Sequence, residues 1–138
     1  MPLGAELVLK TVRAIENKTA DTSAQIISGE IKAAPKIFKD DCLINWNNKT
    51  ENIFNFIRGL SPYPTAFTFL QGKMIKIFSA EKKMTQHKYE TGKYFTDGKT
   101  EIKISTTDGF IHLKEIQLEG KKKMTTEEFL RGHANLFK

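Results

Sequence analysis

The sequence predicts a mainly β domain with flanking helices, folded as a small OB-like barrel. Three observations carry that expectation. Short runs of alternating apolar residues recur between residues 66 and 118, Gln-Gly and Asp-Gly pairs punctuate them, and helix-period stripes occur only before and after. A chain of 138 residues suits one domain with appendages, at roughly 100 to 200 residues per domain.

The first helix is expected from Gly4 to Asn17, where Val8, Val12 and Ile15 follow a four-then-three spacing and make one apolar stripe that needs a partner surface. Asp21 to Ala34 contains small polar residues and Gly29, which reads as an extended connection, so the domain proper is expected to start near Pro35. A second helix starts near Asn48, whose side chain can cap the backbone while Glu51 reaches back, and it places Ile53, Phe54, Ile57 and Leu60 on one face. Ser61-Pro62 stops it, because proline disfavours a helical residue before it. The third helix opens at Thr125 with Glu128 as capping partner, carries Phe129 and Leu130, and weakens at Gly132. It is expected to pack as a terminal lid.

Between the second and third helices the period changes to two. Phe67 and Phe69 alternate about Thr68, Gln71-Gly72 turns the chain, and Lys73 to Ala80 returns with Ile75, Ile77 and Phe78 around Lys76, which reads as a hairpin. Further strands are expected at Tyr94-Phe95 before Asp97-Gly98, at Ile102 and Ile104 about Lys103, and from Phe110 to Leu118 after Asp108-Gly109. In the last strand the parity slips: Ile111 and Leu113 share one face, but Ile116 and Leu118 follow out of step, which predicts a β-bulge near Lys114-Glu115. Leu43 to Trp46 supplies a sixth short strand. Antiparallel strands of this length lose their exposed edges by closing, and the OB-type barrel is the common small solution that binds nucleic acid. An SH3-like barrel or a half-open sheet fits the same pattern.

Charge is unevenly spread. Residues 1–60 carry 8 Lys and Arg against 7 Asp and Glu, and residues 61–138 carry 14 against 9. A basic surface attracts phosphate polyanions by releasing their counterions, although lysines that serve solubility give the same count. The one cysteine, Cys42, cannot form an internal disulfide and reads as a buried inert thiol beside Leu43-Ile44. No apolar run approaches the roughly 18 residues of a membrane span. The segment Met1 to Glu6 has neither a basic start nor an apolar signal core, so a cytoplasmic location is expected. His87, His112 and His133 are too dispersed for a metal site. His112, opposite in parity to Ile111 and Leu113, reads as a surface residue. Trp46 and Phe54 read as core, and Tyr63, bracketed by prolines, is open to either core or base stacking.

The motifs have an order of their own. Ala34-Pro35-Lys36-Ile37, Ile44-Asn45-Trp46, the run from Ile57-Arg58-Gly59-Leu60 through Ser61-Pro62-Tyr63-Pro64-Thr65-Ala66, Gly72-Lys73 with Ile75-Lys76-Ile77, Asp108-Gly109, and Gly120-Lys121-Lys122-Lys123-Met124 before Phe129-Leu130-Arg131-Gly132 follow one another. In that order the chain resembles the carboxy-terminal part of the methionyl-tRNA formyltransferase family. Gly4-Ala5-Glu6-Leu7-Val8-Leu9 is similar to the last helix of that family's catalytic domain. The resemblance implies a division into residues 1–17, the end of a catalytic domain; residues 18–34, a linker; and residues 35–138, an OB-like barrel of the formyltransferase C-terminal type.

Enzymes of this family transfer a formyl group from 10-formyltetrahydrofolate to the amino group of methionine on initiator tRNA, using Asn, His and Asp on an amino-terminal Rossmann-like domain. The family's His-Ser-Leu-Leu-Pro motif is not in this sequence, where the histidines are followed by Lys88, Leu113 and Ala134. The resemblance therefore implies no catalytic, cofactor-binding or metal residue here. No turnover is expected without the site that orients the amine and stabilises the oxyanion. The implied partners are initiator methionyl-tRNA and the missing catalytic domain. Lys36, Lys39, Arg58, Lys73, Lys76, Lys121, Lys122 and Lys123 are the candidates for phosphate contact. Arg58 has a second reading as a bond tying the helix end to the Pro62-Tyr63-Pro64 loop, and Lys121 to Lys123 as a solvated turn. A freestanding RNA-binding OB-like module, or the equivalent domain of a sugar-nucleotide or folate formyltransferase, are the alternative functions. The stripe on the first helix speaks against the former and the Gly-Lys-Lys-Lys-Met run against the latter.

Overall fold

The alternating runs between residues 66 and 118 fold into one antiparallel sheet, seen in a computed structural model that describes residues 2–24, 26, 29, 31 and 33–133. The chain divides into two units, Met1–Pro35 and Lys36–Lys138. In the first, helix α1 spans Pro2–Glu16 and buries none of its residues, so Val8, Val12 and Ile15 of the expected stripe are exposed. Gln25, Ile27, Ser28, Glu30 and Lys32 of the expected connection lie outside the described residues.

The second unit holds a single 3-10 turn at Asp40–Cys42, helix α2 (Thr50–Leu60), strands β1 (Ala66–Leu70), β2 (Lys73–Met84), β3 (Tyr94–Thr96), β4 (Ile102–Ser105), β5 (Gly109–Leu118) and β6 (Met124–Thr125), and helix α3 (Thr126–His133). The strand order is β1-β2-β5-β4-β3, with β6 also paired to β5. The sheet curls into a half-barrel over a core of isoleucines from β2, β4 and β5, Ile53, Ile57 and Leu60 of α2, and Phe129 and Leu130 of α3. Among the described residues β1 and β3 do not pair with each other, so the half-open variant of the expected barrel is the one adopted.

The expected bulge is present and has a counterpart. Ile77 pairs with Ile116, Ser79 with Glu115 and Ala80 with Leu113, so Phe78 is the extra residue on β2 and Lys114 the extra residue on β5. The two insertions cancel in register while each reverses side-chain parity. Ile111, Leu113, Ile116 and Leu118 therefore all reach the buried face, and the added local twist helps the sheet curl. Strand β2 runs on to Met84, beyond the expected end at Ala80, through Glu81-Lys82-Lys83, whose charges conceal a strand from apolar alternation.

Leu43 to Trp46 departs from expectation. It contributes one parallel bridge, Leu43 to Phe67, and one hydrogen bond from Ile44 N to Phe67 O at 2.9 Å. The Asn45 side chain accepts the Asn47 N–H at 3.0 Å, a local turn that draws the backbone out of the ladder. Trp46 then packs against the core and donates from Nε1 to Thr68 Oγ1 at 3.0 Å. The sixth strand is β6 instead.

The expected Asn48–Glu51 capping box is not formed. Lys49 is the N-cap residue and makes no side-chain cap bond, while Glu51 engages Asn55 and Lys82. The cap comes from Asp108: its Oδ1 accepts from both the Thr50 N–H and the Thr50 hydroxyl, each at 2.7 Å. These bonds from Thr50 hold the Asp108 carboxyl below its ordinary range. With the Thr50 proton committed to Asp108, the Thr106 hydroxyl is the donor across the buried 2.6 Å contact to Thr50 Oγ1. Asn48 instead lends its carbonyl to Thr107 N at 3.3 Å. The helix start is thus fastened to the β4–β5 turn. Gly109 is what permits it: a Cβ there would run into the Lys83 carbonyl oxygen and lie 2.7 Å from Thr50 Oγ1. The box on α3 forms as expected, with Thr125 N donating to Glu128 Oε2 at 2.9 Å and Glu128 N to Thr125 Oγ1 at 3.2 Å.

Gly109→Ala is expected to destabilise the chain by about 1–3 kcal/mol or more, because backbone and a buried hydroxyl must shift. Asp108→Ala is expected to lose about 1–2 kcal/mol, the upper range for an N-cap. Urea unfolding followed by Trp46 emission measures both, and an Asp108→Ala midpoint equal to that of the parent chain would contradict the cap. The lowered Asp108 pKa makes its contribution present above the unfolded carboxyl value and lost as pH falls through the folded value, so the Asp108→Ala deficit should shrink in acid.

Candidate nucleic-acid interface

Alternation along β2 sends Ile75 and Ile77 into the core and Met74, Lys76 and Phe78 to the other face. Register places Phe67 and Gln117 on either side of Lys76, making a row across β1, β2 and β5. Beyond Phe67, the segment from Ile37 to Cys42 and the Tyr63-Pro64 loop border a groove of about 230 Å³ that contains Lys39 and Lys76. Lys36 Nζ lies 5.4 Å from the centroid of the Phe38 ring. At the other end of the row, Gln117 Nε2 donates to the Lys121 carbonyl at 2.7 Å and so anchors the basic turn. Lys123 reaches Glu115 at 3.1 Å and the Phe78 ring at 5.6 Å. Arg58 borders a hollow of about 320 Å³ on the Phe78 side.

Six of the eight candidate cations therefore attach to one strip: Lys36, Lys39, Lys76, Arg58, Lys121 and Lys123. Lys122 is exposed in the same turn, close enough for its charge to help hold the Glu128 carboxyl low, after the larger effect of the hydrogen bonds from Thr125. Lys73 stands apart at the β1–β2 turn with the parity of Ile75. Arg58 does not tie the helix end to the proline loop. It bonds Asn55 Oδ1 at 3.2 Å, and the loop is held by Ser61 Oγ to Phe78 O at 2.8 Å and Thr65 N to Leu60 O at 2.9 Å.

Ion pairs engage a minority of the cations among the described residues, and most candidates lie outside them, as do Lys49, Lys83, Lys88, Lys93 and Lys99 elsewhere. Among the described residues Lys82, Lys103, Lys114, Lys123 and Arg131 each meet a carboxylate. Only Lys123 belongs to the candidate set. Cations without a carboxylate partner keep their charge for an external phosphate. Three carboxylates punctuate the strip: Glu115, Asp40, and Asp41, whose Oδ2 accepts the Phe38 N–H at 2.8 Å.

The remaining candidates have structural settings. Cys42 is buried and its thiol pKa is raised, first by burial and then by Asp41, which keeps it protonated and inert. His87 shares a 2.9 Å hydrogen bond with Gly109 O, and His133 one of 3.2 Å with Phe129 O. His112 is not an ordinary surface residue. Its ring is largely covered, its Nε2 is buried without a hydrogen-bond partner among the described residues, and its Nδ1 lies 3.7 Å from Glu101. Burial lowers its pKa, with nearby Lys103, Lys114 and Lys83 adding to the effect and Glu101 opposing it.

Two aromatic features were not singled out from the sequence. One is Phe38 on the groove. The other is a cluster of His87, Tyr89, Phe95 and Phe110 with ring separations of 4.6 to 6.2 Å. The alternation of His87 and Tyr89 was its only local signal.

Residues 36–134 match the family model described as formyl transferase, C-terminal domain. The methionyl-tRNA formyltransferase of Bacteroides thetaiotaomicron is 45% identical, with 96% of this chain and 44% of that protein aligned. The chain thus spans less than half the length of that relative. Among solved structures, a variant of HypX from Aquifex aeolicus superposes with a TM-score of 0.68 at 18% identity, over 94% of this chain and 23% of that one. HypX in complex with tetrahydrofolic acid gives 0.62 at 19% identity, over 91% and 22%. At such identities the HypX structures speak to the fold alone.

A lowered histidine pKa means the unfolded chain takes up the proton first as pH falls. Stability is therefore expected to drop from about pH 6.5 downward, until the folded-state value is passed. His112→Phe should flatten that dependence between neutral and mildly acid pH in thermal melts, and a parent melting temperature that rises on acidification through this window would refute the assignment.

Proposed function

The chain belongs to the formyl transferase C-terminal domain family, and from that premise we propose that it is the carboxy-terminal part of a methionyl-tRNA formyltransferase, holding the body of initiator methionyl-tRNA. The observation that carries this reading is the strip of cations organised by the Phe67–Lys76–Gln117 row, most of them without a carboxylate partner among the described residues. A polyanion laid along it gains affinity by counterion release and needs no base to be read.

In this proposal residues 35–138 grip the RNA, residues 18–34 link, and residues 1–17 close a catalytic domain whose remaining elements cover the apolar face of α1. The 45% identity to a methionyl-tRNA formyltransferase favours the tRNA enzyme over other formyl-transferring relatives. Formyl transfer from 10-formyltetrahydrofolate is assigned to the catalytic domain, which brings the methionyl amine to the formyl carbon; the work of Lys36, Lys39, Arg58, Lys73, Lys76 and Lys121 to Lys123 is to present the aminoacylated end. These residues alone carry no turnover, and the parent protein works in the cytoplasm.

Titration of the chain with initiator tRNA at about 50 and about 200 mM salt tests the reading. Affinity should fall by roughly 0.7 to 0.9 log units per tenfold salt for each phosphate neutralised. The double variant Lys39→Ala/Lys76→Ala should lower that slope by about 1.4 to 1.8. Binding that ignores salt would remove the lysine assignments.

A further inference from the structure

Tyr63 is 88% exposed and Phe38 62%, although neither ring lacks apolar neighbours: both border the groove that has buried Phe67 and half-buried Met74 at its base. Lys39 and Lys76 line the same groove. The Tyr63 backbone is well held. Prolines on both sides fix their own φ angles, and the hydrogen bonds of Ser61 and Thr65 close the loop onto β2 and the end of α2. Thr65 is held at φ 78, a region where a β-branched residue is strained, and its hydroxyl donates to the Pro62 carbonyl. An aromatic ring presented on so constrained a loop loses little conformational freedom when a planar group stacks on it.

We propose that this groove takes one unpaired nucleobase of the bound RNA, stacked against Tyr63 and Phe38, with the adjoining phosphates on Lys39 and Lys76. The inference rests on the RNA-holding reading and adds the single-stranded state of the bound nucleotide and the residues that touch its base. Charge complementarity selects the occupant. A nucleotide offers a planar face flanked by anions, which matches a groove lined by two rings and two lysines, whereas an apolar protein segment would offer those lysines no anion. Stacking is tolerant of base identity because every base has a π face.

The test compares fluorescein-labelled hexaadenylate with a short blunt RNA duplex, titrated against the whole chain and its variants at low salt. Tyr63→Ala is expected to weaken hexaadenylate binding about 5- to 100-fold, with the salt slope and the duplex affinity unchanged. Tyr63→Phe should bind as the parent does, and Lys76→Ala should lower the salt slope on both probes. Trp46 emission reports that each variant is folded. If Tyr63→Ala binds hexaadenylate as tightly as the parent, stacking is overturned while duplex binding leaves the RNA-holding reading intact. An equal loss on both probes also overturns stacking, since the ring would then shape the phosphate surface. A parent chain that binds neither probe ends both readings. Concentration-dependent dimerisation abolished by Tyr63→Ala, with RNA binding untouched, would assign the groove to a second copy of the chain.

Discussion

The pairing of β2 with β5 is the constraint on which the rest of this structure depends. Each of the other strands of the sheet pairs with one of these two or, through β4, with a neighbour of β5, and α2 and α3 pack against them. Opposed one-residue insertions at Phe78 and Lys114 let the long pair bend without losing register. Were only one strand bulged, every side chain beyond it would change faces relative to its partner. With both, apolar residues stay inside along the whole length of β5, and the opposite face is free to carry Lys76, Phe78 and Gln117.

The same pair joins stability to the candidate interface. At its open end, Gly109 passes close to Lys83 and lets Asp108 reach the start of α2. At its hairpin end, the Lys76 row meets the groove under the proline loop, while the basic turn is anchored through Gln117. Lys82, Lys103 and Lys114 are held in ion pairs with neighbouring carboxylates, which at exposed sites add little stability but offset positive charge. On the strip, Lys123 alone of the candidates is so paired among the described residues.

What could be read in advance followed from locality. The α3 cap needs two residues three apart, and both are in the sequence; the bulge on β5 shows itself as a slip in apolar parity within ten residues. The cap of α2 could not be read, because its carboxylate comes from a residue 58 positions downstream while Asn48 and Glu51 offered a plausible local pair. The far half of β2 was hidden by charged residues that alternate with nothing apolar. Leu43 to Trp46 has strand composition, yet the Asn45 turn competes with the ladder. His112 has the parity of a surface residue, and its setting comes from residues brought up by pairing: Lys103 and Glu81 on the adjoining strands, with Glu101 beside its Nδ1.

The ordered motifs and the basic second half of the chain were enough to give the family, the class of fold and a set of cations. Those properties depend on residue identity and short spacing, which a linear chain carries in full. Which cations lie together, which are neutralised, and that Tyr63 and Phe38 border one groove were decided by strand register and by the closing of the loop onto β2. These bring residues tens of positions apart into contact, and contact at that separation is set by the packed core, whose geometry no local spacing specifies.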